Sequence, residues 1–333
     1  MADTFLAVHT DAPPTMSFEI EREVIEGAGA ALRLTRSRSE DELIENVREA
    51  DALLVLGAQI TRRVMENMPR CKLIVRYGVG LDTLDLPAAT EHGIVVAHFP
   101  DFCMPEVANH AIMLLLAAAK KLTLLQRVMR EGRWRDGALG PMGSIWGETL
   151  GLVAFGNIAQ AVAPRAQALG MKVVSFDPFA SDEPFARLGV ERVPTLDALL
   201  EQSDYVSVHT PLNGDTHHLF STAQFARMKP SACFINTGRG PVVDEEALIA
   251  ALQDGAIASA GLDVFEKEPL SPDSPLLKMD NVVLTPHSAS YSDLAFDTMK
   301  RRVGQAVVDL MQGRWPEIVA NRGLTPRASL PAG

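Results

Sequence analysis

Short apolar runs alternate with helical segments twice along this 333-residue chain, and this alternation restricts the fold more than any other feature of its sequence. Strands joined by helical crossovers pair in parallel, and a parallel sheet needs helices on both of its faces. Such strands are apolar along most of their length instead of alternating with polar residues. The pattern therefore predicts an α/β chain that contains two parallel sheets.

The first series of strands occupies the first hundred residues, and a second, more regular series begins at Thr149. The strands predicted in the first series are Phe5–His9, Ala31–Leu34, Ala52–Leu56, Leu73–Arg76 and Ile94–Ala97. Those predicted in the second series are 149–155, 172–176, 205–209, 232–236, 258–264 and 281–285. Long helices are predicted from Pro105 to Gly132 and from Ser292 to Gly313. Six strands with crossovers satisfy the requirement of a dinucleotide-binding fold.

The charge balance and the cysteine content exclude several classes of function. Asp and Glu outnumber Lys and Arg by 42 to 31, so the chain has a net charge of −11 and no electrostatic reason to bind nucleic acid or an anionic membrane. Three scattered cysteines are too few for a disulfide framework or a four-ligand zinc site, and no metal is expected. The longest apolar run, 111–119, is about half as long as a membrane span. With no secretory signal visible, a cytoplasmic location is expected.

A glycine turn after the first strand of the second series predicts a nucleotide site. Gly156 is the central glycine of a G-x-G-x-x-G/A fingerprint in which Ala154 replaces the first glycine and Ala159 ends the motif. The central glycine lets the backbone approach a pyrophosphate at the N-terminus of the following helix, where Asn157 and Ile158 lie. Because Ala154 departs from the pattern, the turn must accept a methyl group. Alone, the motif is also compatible with an ordinary strand-to-helix turn.

The next strand ends in an acidic residue that indicates which dinucleotide binds. Asp177 lies 21 residues after Gly156, close to the spacing of about 20 found for acids that bind the adenosine ribose. A carboxylate there accepts hydrogen bonds from the ribose hydroxyls and repels a 2′-phosphate. No Arg or Lys follows it in the segment 178–182. The turn and the acid together predict NAD rather than NADP, although a lone Asp at a strand end is common.

Three later strands are followed by residue types that hydride transfer requires. Arg239 follows the strand 232–236, and a guanidinium can bind a carboxylate through two parallel hydrogen bonds. Glu268 follows the next strand, and His287 follows the last one. Because ligands bind at the carboxyl ends of strands in open parallel sheets, these three side chains are candidates for one site. A surface ion pair is the alternative interpretation of Arg239 and Glu268.

These segments resemble, in order and over nearly the whole chain, the signature of the D-isomer-specific 2-hydroxyacid dehydrogenase family. Besides the glycine turn and Asp177, they are N-T-x-R-G at 236–240, D-V-x-x-x-E-P at 263–269 and T-P-H at 285–287. Within the family, H-T-P-L-N at 209–213, and the Ser-Ala-x-Tyr-Ser that follows T-P-H, are similar to the C-terminal-binding-protein-like bacterial branch.

The resemblance implies an NAD-dependent oxidoreductase that interconverts a 2-oxoacid and a D-2-hydroxyacid. It assigns binding of the substrate carboxylate to Arg239, acid–base catalysis to His287 and pairing with that histidine to Glu268. A carboxylate beside a histidine favours the imidazolium form, which is the form that donates a proton. The implied partner is a small-molecule substrate, and a homodimer is also implied.

The resemblance implies further contacts with the cofactor and the substrate. The residues placed on the cofactor beyond the glycine turn and its acid are Thr210, Pro211, Thr237, Gly238 and Asp263. Asp263 would hold the nicotinamide carboxamide. In the first series, the segment 76–82 resembles a substrate loop that contains Arg76, and in it Val79 and Gly80 would offer backbone N–H groups to the substrate carboxylate.

The same resemblance implies two domains, Rossmann-like or flavodoxin-like, with a cleft between them. Residues 1–103 and 292–333 would form a discontinuous substrate domain, and residues 104–291 would form the NAD-binding Rossmann domain. Two alternatives remain: an NAD(H)-sensing interaction protein of the corepressor type, which could keep the same residues, and a phosphoglycerate dehydrogenase. The second would need a cationic pocket for the phosphate, for which Arg76 is the candidate.

Two departures from the family pattern bear on the substrate, and several histidines receive no catalytic role. Asn109 stands in the long helix where the family usually has an acid, and Ser290 stands where the corepressor branch has a tryptophan. His110 is interpreted as structural, and the loop residues His217 and His218 are assigned no part in catalysis.

Overall fold

The computed structural model describes residues 4–134, 137, 140 and 142–331. The chain divides into two compact units. The first unit contains Met1–Phe102 and Ser292–Gly333, and the second contains Cys103–Tyr291. Each unit has its own parallel sheet, with five strands in the first and seven in the second. Among the helices of the described residues, none is long and apolar enough to cross a lipid bilayer.

The first unit is built on a parallel sheet with the strand order β2-β1-β3-β4-β5. Its strands are β1 (Leu6–His9), β2 (Ala31–Leu34), β3 (Ala52–Val55), β4 (Leu73–Arg76) and β5 (Val95–Ala97). Its helices are α1 (Glu19–Gly27), α2 (Glu40–Val47), α3 (Arg62–Glu66), α4 (Leu86–Glu91) and, from the end of the chain, α12 (Asp293–Met311). This strand order is that of flavodoxin-like folds.

Helices cover both faces of this sheet, which is why its strands carry so few polar residues. On one face, Ile25 of α1 and Val303 of α12 pack against Val75 of β4 in a single buried cluster. On the other face, helices α2 to α4 form a second cluster with the opposite sides of the same strands. The C-terminal helix is therefore part of the core of the first unit.

The second unit has a parallel sheet with the strand order β12-β11-β10-β9-β6-β7-β8. Its strands are β6 (Thr149–Val153), β7 (Lys172–Phe176), β8 (Glu191–Arg192), β9 (Tyr205–Val208), β10 (Cys233–Asn236), β11 (Ser259–Leu262) and β12 (Val282–Leu284). The order reverses between β6 and β9, and this reversal is the place where dinucleotides bind in Rossmann folds. The fold class predicted from the sequence is confirmed.

The helices of the second unit differ from the prediction at one place. They are α5 (Met104–Ala119), α6 (Leu122–Arg130), α7 (Asn157–Ala168), α8 (Asp182–Leu188), α9 (Leu196–Gln202), α10 (Thr222–Phe225) and α11 (Glu245–Gln253). The predicted helix Pro105–Gly132 is thus two helices, which meet at Lys121 in a left-handed conformation with φ +50°. The apolar spacing runs on through this break, and neither Gly nor Pro marks it.

Candidate active site

The predicted site residues of the second unit lie at the carboxyl ends of its strands. Gly156, Asn157 and Ile158 open α7, Asp177 follows β7, Thr210 and Pro211 follow β9, Thr237, Gly238 and Arg239 follow β10, Asp263 and Glu268 follow β11, and His287 follows β12. The remaining three belong to the first unit, where Arg76 ends β4 and Val79 and Gly80 follow it. The strand-end argument therefore places each residue at the expected edge of its sheet.

The glycine turn leaves room for a ligand at the N-terminus of α7. Gly156 has φ −73°, a value open to any residue, and a Cβ atom built on it would meet no atom within 4 Å. Neither backbone conformation nor packing inside the protein therefore requires glycine here, whereas close approach of a pyrophosphate would. Ala154, in contrast, has φ +70°, so this turn does hold a methyl group in the left-handed region.

Asp177 ties the glycine turn to the end of β7. One carboxylate oxygen, Oδ2, accepts the N–H of Phe155 at 2.8 Å, and Oδ1 accepts the N–H groups of Phe179 at 2.8 Å and Ala180 at 3.0 Å. A cation that was not predicted from the sequence also lies here. Arg192 on the short edge strand β8 donates to the backbone oxygen of Asp177 at 2.8 Å. The acid is thus a structural element of the turn as well as a candidate partner of a ribose.

Two threonines of the predicted cofactor loops have unused hydroxyl groups. Within the described part of the chain, the buried Oγ1 atoms of Thr210 and Thr237 have no hydrogen-bond partner. A buried hydroxyl without a partner costs free energy, so such groups indicate a ligand or water that satisfies them. Together with the open space at Gly156, they show that the residues present fit a bound dinucleotide.

The loop that carries Arg239 is held by Asn236 and packs closely on the loop after β11. The side chain of Asn236 accepts the N–H of Gly238 at 3.0 Å and donates to the carbonyl oxygen of Arg239 at 3.0 Å. A Cβ atom on Gly240 would lie 1.7 Å from the carbonyl oxygen of Phe265, so only glycine permits this approach. The contact brings the Arg239 loop beside the loop that leads to Glu268.

His287 and Glu268 form a hydrogen-bonded pair. Nδ1 of His287 lies 2.7 Å from Oε2 of Glu268, while Oε1 of Glu268 accepts the N–H of Phe265 at 3.1 Å. Partial burial disfavours the charged carboxylate, but the hydrogen bond from His287, the N–H of Phe265 and the charge of Arg239 outweigh it and lower the pKa of Glu268. With Nδ1 occupied, Nε2 is the ring nitrogen that can exchange a proton with a ligand.

Asp263 is the most enclosed acid of the site and makes a network that the sequence did not reveal. Its side chain is 1% exposed. Oδ1 accepts the hydroxyl of Thr285 at 2.6 Å and the N–H of Ser288 at 2.9 Å, and Oδ2 accepts the N–H of Ala289 at 2.9 Å. Nε2 of His110, on α5, lies 2.8 Å from the Thr285 hydroxyl. The predicted contact of Asp263 with a carboxamide stays a prediction, since both oxygens already have partners.

In the first unit, the loop after β4 is anchored by a buried tyrosine. The Tyr77 hydroxyl donates to the fully buried Glu21 at 2.8 Å, and burial raises the pKa of this carboxyl. Two and three residues further on, the amides of Val79 and Gly80 donate no hydrogen bond to any described residue. The loop can therefore offer two backbone N–H groups to an anion.

Comparison with known proteins gives one family. Residues 112–289 match a family model described as "D-isomer specific 2-hydroxyacid dehydrogenase, NAD binding domain". A glyoxylate reductase of Korarchaeum cryptofilum is 42% identical over 289 residues, which are 85% of this chain and 86% of the relative. A D-3-phosphoglycerate dehydrogenase of Methanocaldococcus jannaschii is 36% identical over 88% of this chain, which spans only 56% of that relative.

A solved structure with bound ligands is similar over nearly its whole length. It is the D-lactate dehydrogenase of Aquifex aeolicus complexed with NAD and lactic acid, to which the chain is 28% identical with a TM-score of 0.82. The match covers 92% of this chain and 96% of the other. The likeness thus extends beyond the residues matched by the family model.

Proposed function

This chain belongs to the D-isomer specific 2-hydroxyacid dehydrogenase family, and on that premise we propose that it reduces a small 2-oxoacid with His287 as the acid–base group. The chain is an NAD-dependent D-2-hydroxyacid dehydrogenase, because its coenzyme domain is of the NAD-binding family and its relatives carry out such reactions. The roles of individual residues and the substrate are the proposed part.

The observation that carries the proposal is the 2.7 Å contact between Nδ1 of His287 and Glu268. This contact orients the imidazole and occupies Nδ1, while Nε2 remains available to the ligand. A general acid needs both a positioned proton and a fixed direction of transfer. The alternative interpretation of Arg239 and Glu268, a surface ion pair, explains neither the contact with His287 nor the close packing of the two loops at Gly240.

In the proposed reaction, Arg239 binds the substrate carboxylate and turns the neighbouring carbonyl toward His287. Nε2 of His287 donates its proton to the carbonyl oxygen as the D-2-hydroxyacid forms, and Glu268 holds the ring through its contact with Nδ1. In the reverse direction, neutral His287 takes the hydroxyl proton. When bound, NADH supplies the hydride that the carbonyl carbon receives.

The same proposal assigns the residues that would hold the dinucleotide. Gly156, with Asn157 and Ile158, would receive the pyrophosphate at the start of α7, and Asp177 would accept the ribose hydroxyls. The hydroxyls of Thr210 and Thr237 would gain the partners that they lack within the described residues. Pro211, Gly238 and Asp263 remain proposed neighbours of the cofactor. The second unit would then be the NAD-binding domain and the first the substrate domain.

For the substrate, we propose glyoxylate or a similarly small 2-oxoacid such as hydroxypyruvate. The support is the similarity to a glyoxylate reductase over most of both chains. A phosphorylated 2-oxoacid is the second candidate, favoured by the similarity to a D-3-phosphoglycerate dehydrogenase. In the first unit, Arg76, Val79 and Gly80 are the proposed contacts for the acid. The corepressor-like branch, the homodimer and the cytoplasmic location stay predictions of the sequence.

A panel of 2-oxoacids tests this function. The purified protein should oxidise NADH with glyoxylate or hydroxypyruvate, and His287→Ala should lower kcat by about 10² to 10⁴, the range typical of general acid–base catalysis. NADH binding, followed by its fluorescence, should stay close to that of the wild type, because the proposal gives His287 no contact with the dinucleotide.

The exposed loop residue His217 provides the control. His217→Ala removes an imidazole of the same unit that has no proposed role, and its turnover should match the wild type. Cofactor-dependent dimerisation without turnover on any 2-oxoacid would favour the interaction protein instead. Turnover only with a phosphorylated 2-oxoacid would favour the second candidate. Unchanged kcat in His287→Ala would reject the role of that histidine.

A further inference from the structure

A chain of three side chains runs from helix α5 to the loop that carries His287. It begins at His110, whose Nε2 lies 2.8 Å from Oγ1 of Thr285 and 3.4 Å from Oδ1 of Asp263. Thr285 in turn lies 2.6 Å from the same oxygen of Asp263. All three residues belong to the second unit, and His110 and Thr285 are 175 residues apart in sequence.

The direction of each hydrogen bond follows from the chemistry of the three groups. A carboxylate only accepts, so the Thr285 hydroxyl must give its hydrogen to Asp263. The remaining lone pairs of that hydroxyl can only accept, so Nε2 of His110 must carry a hydrogen. Burial of Asp263 opposes its ionisation, but hydrogen bonds from His110, Thr285, Ser288 and Ala289 outweigh burial and lower its pKa. Asp263 is therefore a carboxylate, and the chain has one consistent direction.

The loop at the end of this chain has a backbone conformation that needs support. His287 has φ +51°, in the left-handed region, which disfavours a residue with a Cβ atom. Its N–H donates to the backbone oxygen of Asp263 at 2.7 Å, and the next two N–H groups donate to the carboxylate of Asp263. Such a conformation persists only where the surroundings determine it. The position of the Asp263 carboxylate therefore fixes the backbone from which the imidazole projects, and Glu268 orients the ring itself.

From this geometry we propose that His110, acting through Thr285 and Asp263, is a positioning residue for the acid–base group His287. The proposal rests on the proposed function, in which His287 exchanges the proton. Among the described residues, the hydrogen bond and the ion pair of His110 go to Thr285 and Asp263, not to Glu268 or His287. His110 holds the hydroxyl of Thr285 in the rotamer that fixes the carboxylate, and the carboxylate accepts the N–H groups of the two residues that follow His287.

Two substitutions of Thr285 separate the hydroxyl from the bulk of the side chain. Thr285→Val keeps the shape and removes the hydrogen bonds, whereas Thr285→Ser keeps the hydroxyl and loses a methyl group. We expect Thr285→Val to lower kcat by about tenfold to a hundredfold, since small displacements of a catalytic group have effects of this size. The kcat of Thr285→Ser should stay within about threefold of the wild-type value.

A second pair tests the other end of the chain, and also replaces the first pair if Thr285→Val does not fold. His110→Gln retains an N–H that can reach Thr285, whereas His110→Leu does not. The Leu variant should lower kcat as Thr285→Val does, and the Gln variant should restore most of it. The double variant that combines His110→Leu with Thr285→Val should lower kcat no more than the more damaging single substitution does, because both substitutions break the same series of hydrogen bonds.

Thr123→Val is the matched control for loss of a threonine hydrogen bond. The Thr123 hydroxyl donates to the carbonyl oxygen of Val282 at 2.9 Å, on the same strand β12 but at its opposite end. This variant should lose stability without a selective fall in kcat. A kcat as low as that of Thr285→Val would assign the effect to general weakening of β12 and overturn the proposal.

Hydrogen exchange gives a readout that needs no substrate. In Thr285→Val and His110→Leu, amide hydrogen exchange should be faster than in the wild type at His287, Ser288 and Ala289. In Thr285→Ser, the exchange rates of these amides should equal those of the wild type. If the wild type reduces no 2-oxoacid, the proposed function fails while exchange still tests the chain. If the wild type is active but Val and Ser variants have equal kcat and equal exchange, only the positioning role of His110 fails.

Discussion

At the scale of single residues, Ala154 carries a methyl group in a backbone conformation that usually belongs to glycine. Its φ of +70° costs about 1–2 kcal/mol for a residue with a Cβ. Glycine would remove that cost. It would also increase the conformational entropy of the unfolded chain, which lowers the free energy of unfolding by about 0.5–1 kcal/mol. We therefore expect Ala154→Gly to raise the free energy of unfolding by about 0.5–1 kcal/mol, measured by urea denaturation.

Ala159 provides the control five residues later. It is fully buried within α7, where glycine costs about 1 kcal/mol in helix propensity and also loses the packing of the methyl group. Ala159→Gly should therefore lower the free energy of unfolding. If both substitutions lowered it equally, the left-handed backbone at Ala154 would not be a source of strain.

At the scale of secondary structure elements, the two-residue strand β8 changes the charge around the proposed ribose site. Arg192 on this strand donates to the backbone oxygen of Asp177 and also pairs with the exposed carboxylate of Asp182. Removing that carboxylate leaves the guanidinium available to a 2′-phosphate. We expect Asp182→Ser to raise the ratio of kcat/KM for NADPH to that for NADH by about threefold, in line with the energy of an exposed ion pair.

Glu183→Gln is the matched control for this prediction. It removes one negative charge from the same turn of α8, but Glu183 pairs with Arg187 and leaves the Arg192 contacts intact. The ratio of kcat/KM values should then stay at the wild-type value. An equal rise in both variants would indicate a general effect of net charge on NADPH binding.

Elements with an apolar period were predictable, and elements defined by tertiary contacts were not. The strands Ala31–Leu34 and Leu73–Arg76 agree with prediction to the residue, because short runs made up mostly of apolar residues define them. Strand β8 has no such run, since its two residues, Glu191 and Arg192, are charged and pair only with β7. The break at Lys121 likewise carries no local signal.

The same distinction applies to the candidate site. Strand-end residues such as Arg239 and His287 could be found because a parallel sheet gathers the ends of its strands at one edge. The link from His110 through Thr285 joins distant parts of the chain, and its histidine lies on a helix face that is typical of a packed core. Only the fold shows that this histidine faces a strand-end threonine.

At the scale of the whole molecule, each unit contains a histidine that resists protonation. His9, in the first unit, is fully buried, and burial lowers its pKa from 6.5 to about 4 despite the nearby carboxylate of Asp11. His209, in the second unit, has its pKa lowered to about 4 by burial. Between these values and the usual value of 6.5, the unfolded chain binds a proton that the folded chain does not. The free energy of unfolding must therefore fall as the pH falls through this range.

For His9 the expected loss is about 2 kcal/mol between pH 7.5 and pH 5, from 1.36 kcal/mol for each unit of pKa difference. His9→Asn keeps an acceptor for the N–H of Asp11, which Nδ1 of His9 now accepts at 3.3 Å, but it cannot titrate. The variant should be less stable at pH 7.5, since it loses the packing of the imidazole on Phe18, whose ring centroid lies 4.6 Å from that of His9. The free energy of unfolding of this variant should nevertheless depend less on pH than that of the wild type.

Native-state hydrogen exchange separates the two units in this experiment, with the amides of β1 reporting on the first and those of β9 on the second. His9→Asn should flatten the pH dependence of the opening free energy in β1 and leave that in β9 unchanged. His209→Asn should do the reverse, so each variant is the control for the other. If the opening free energy of the β1 amides depended on pH as strongly in His9→Asn as in the wild type, His9 would be protonated without unfolding of the first unit.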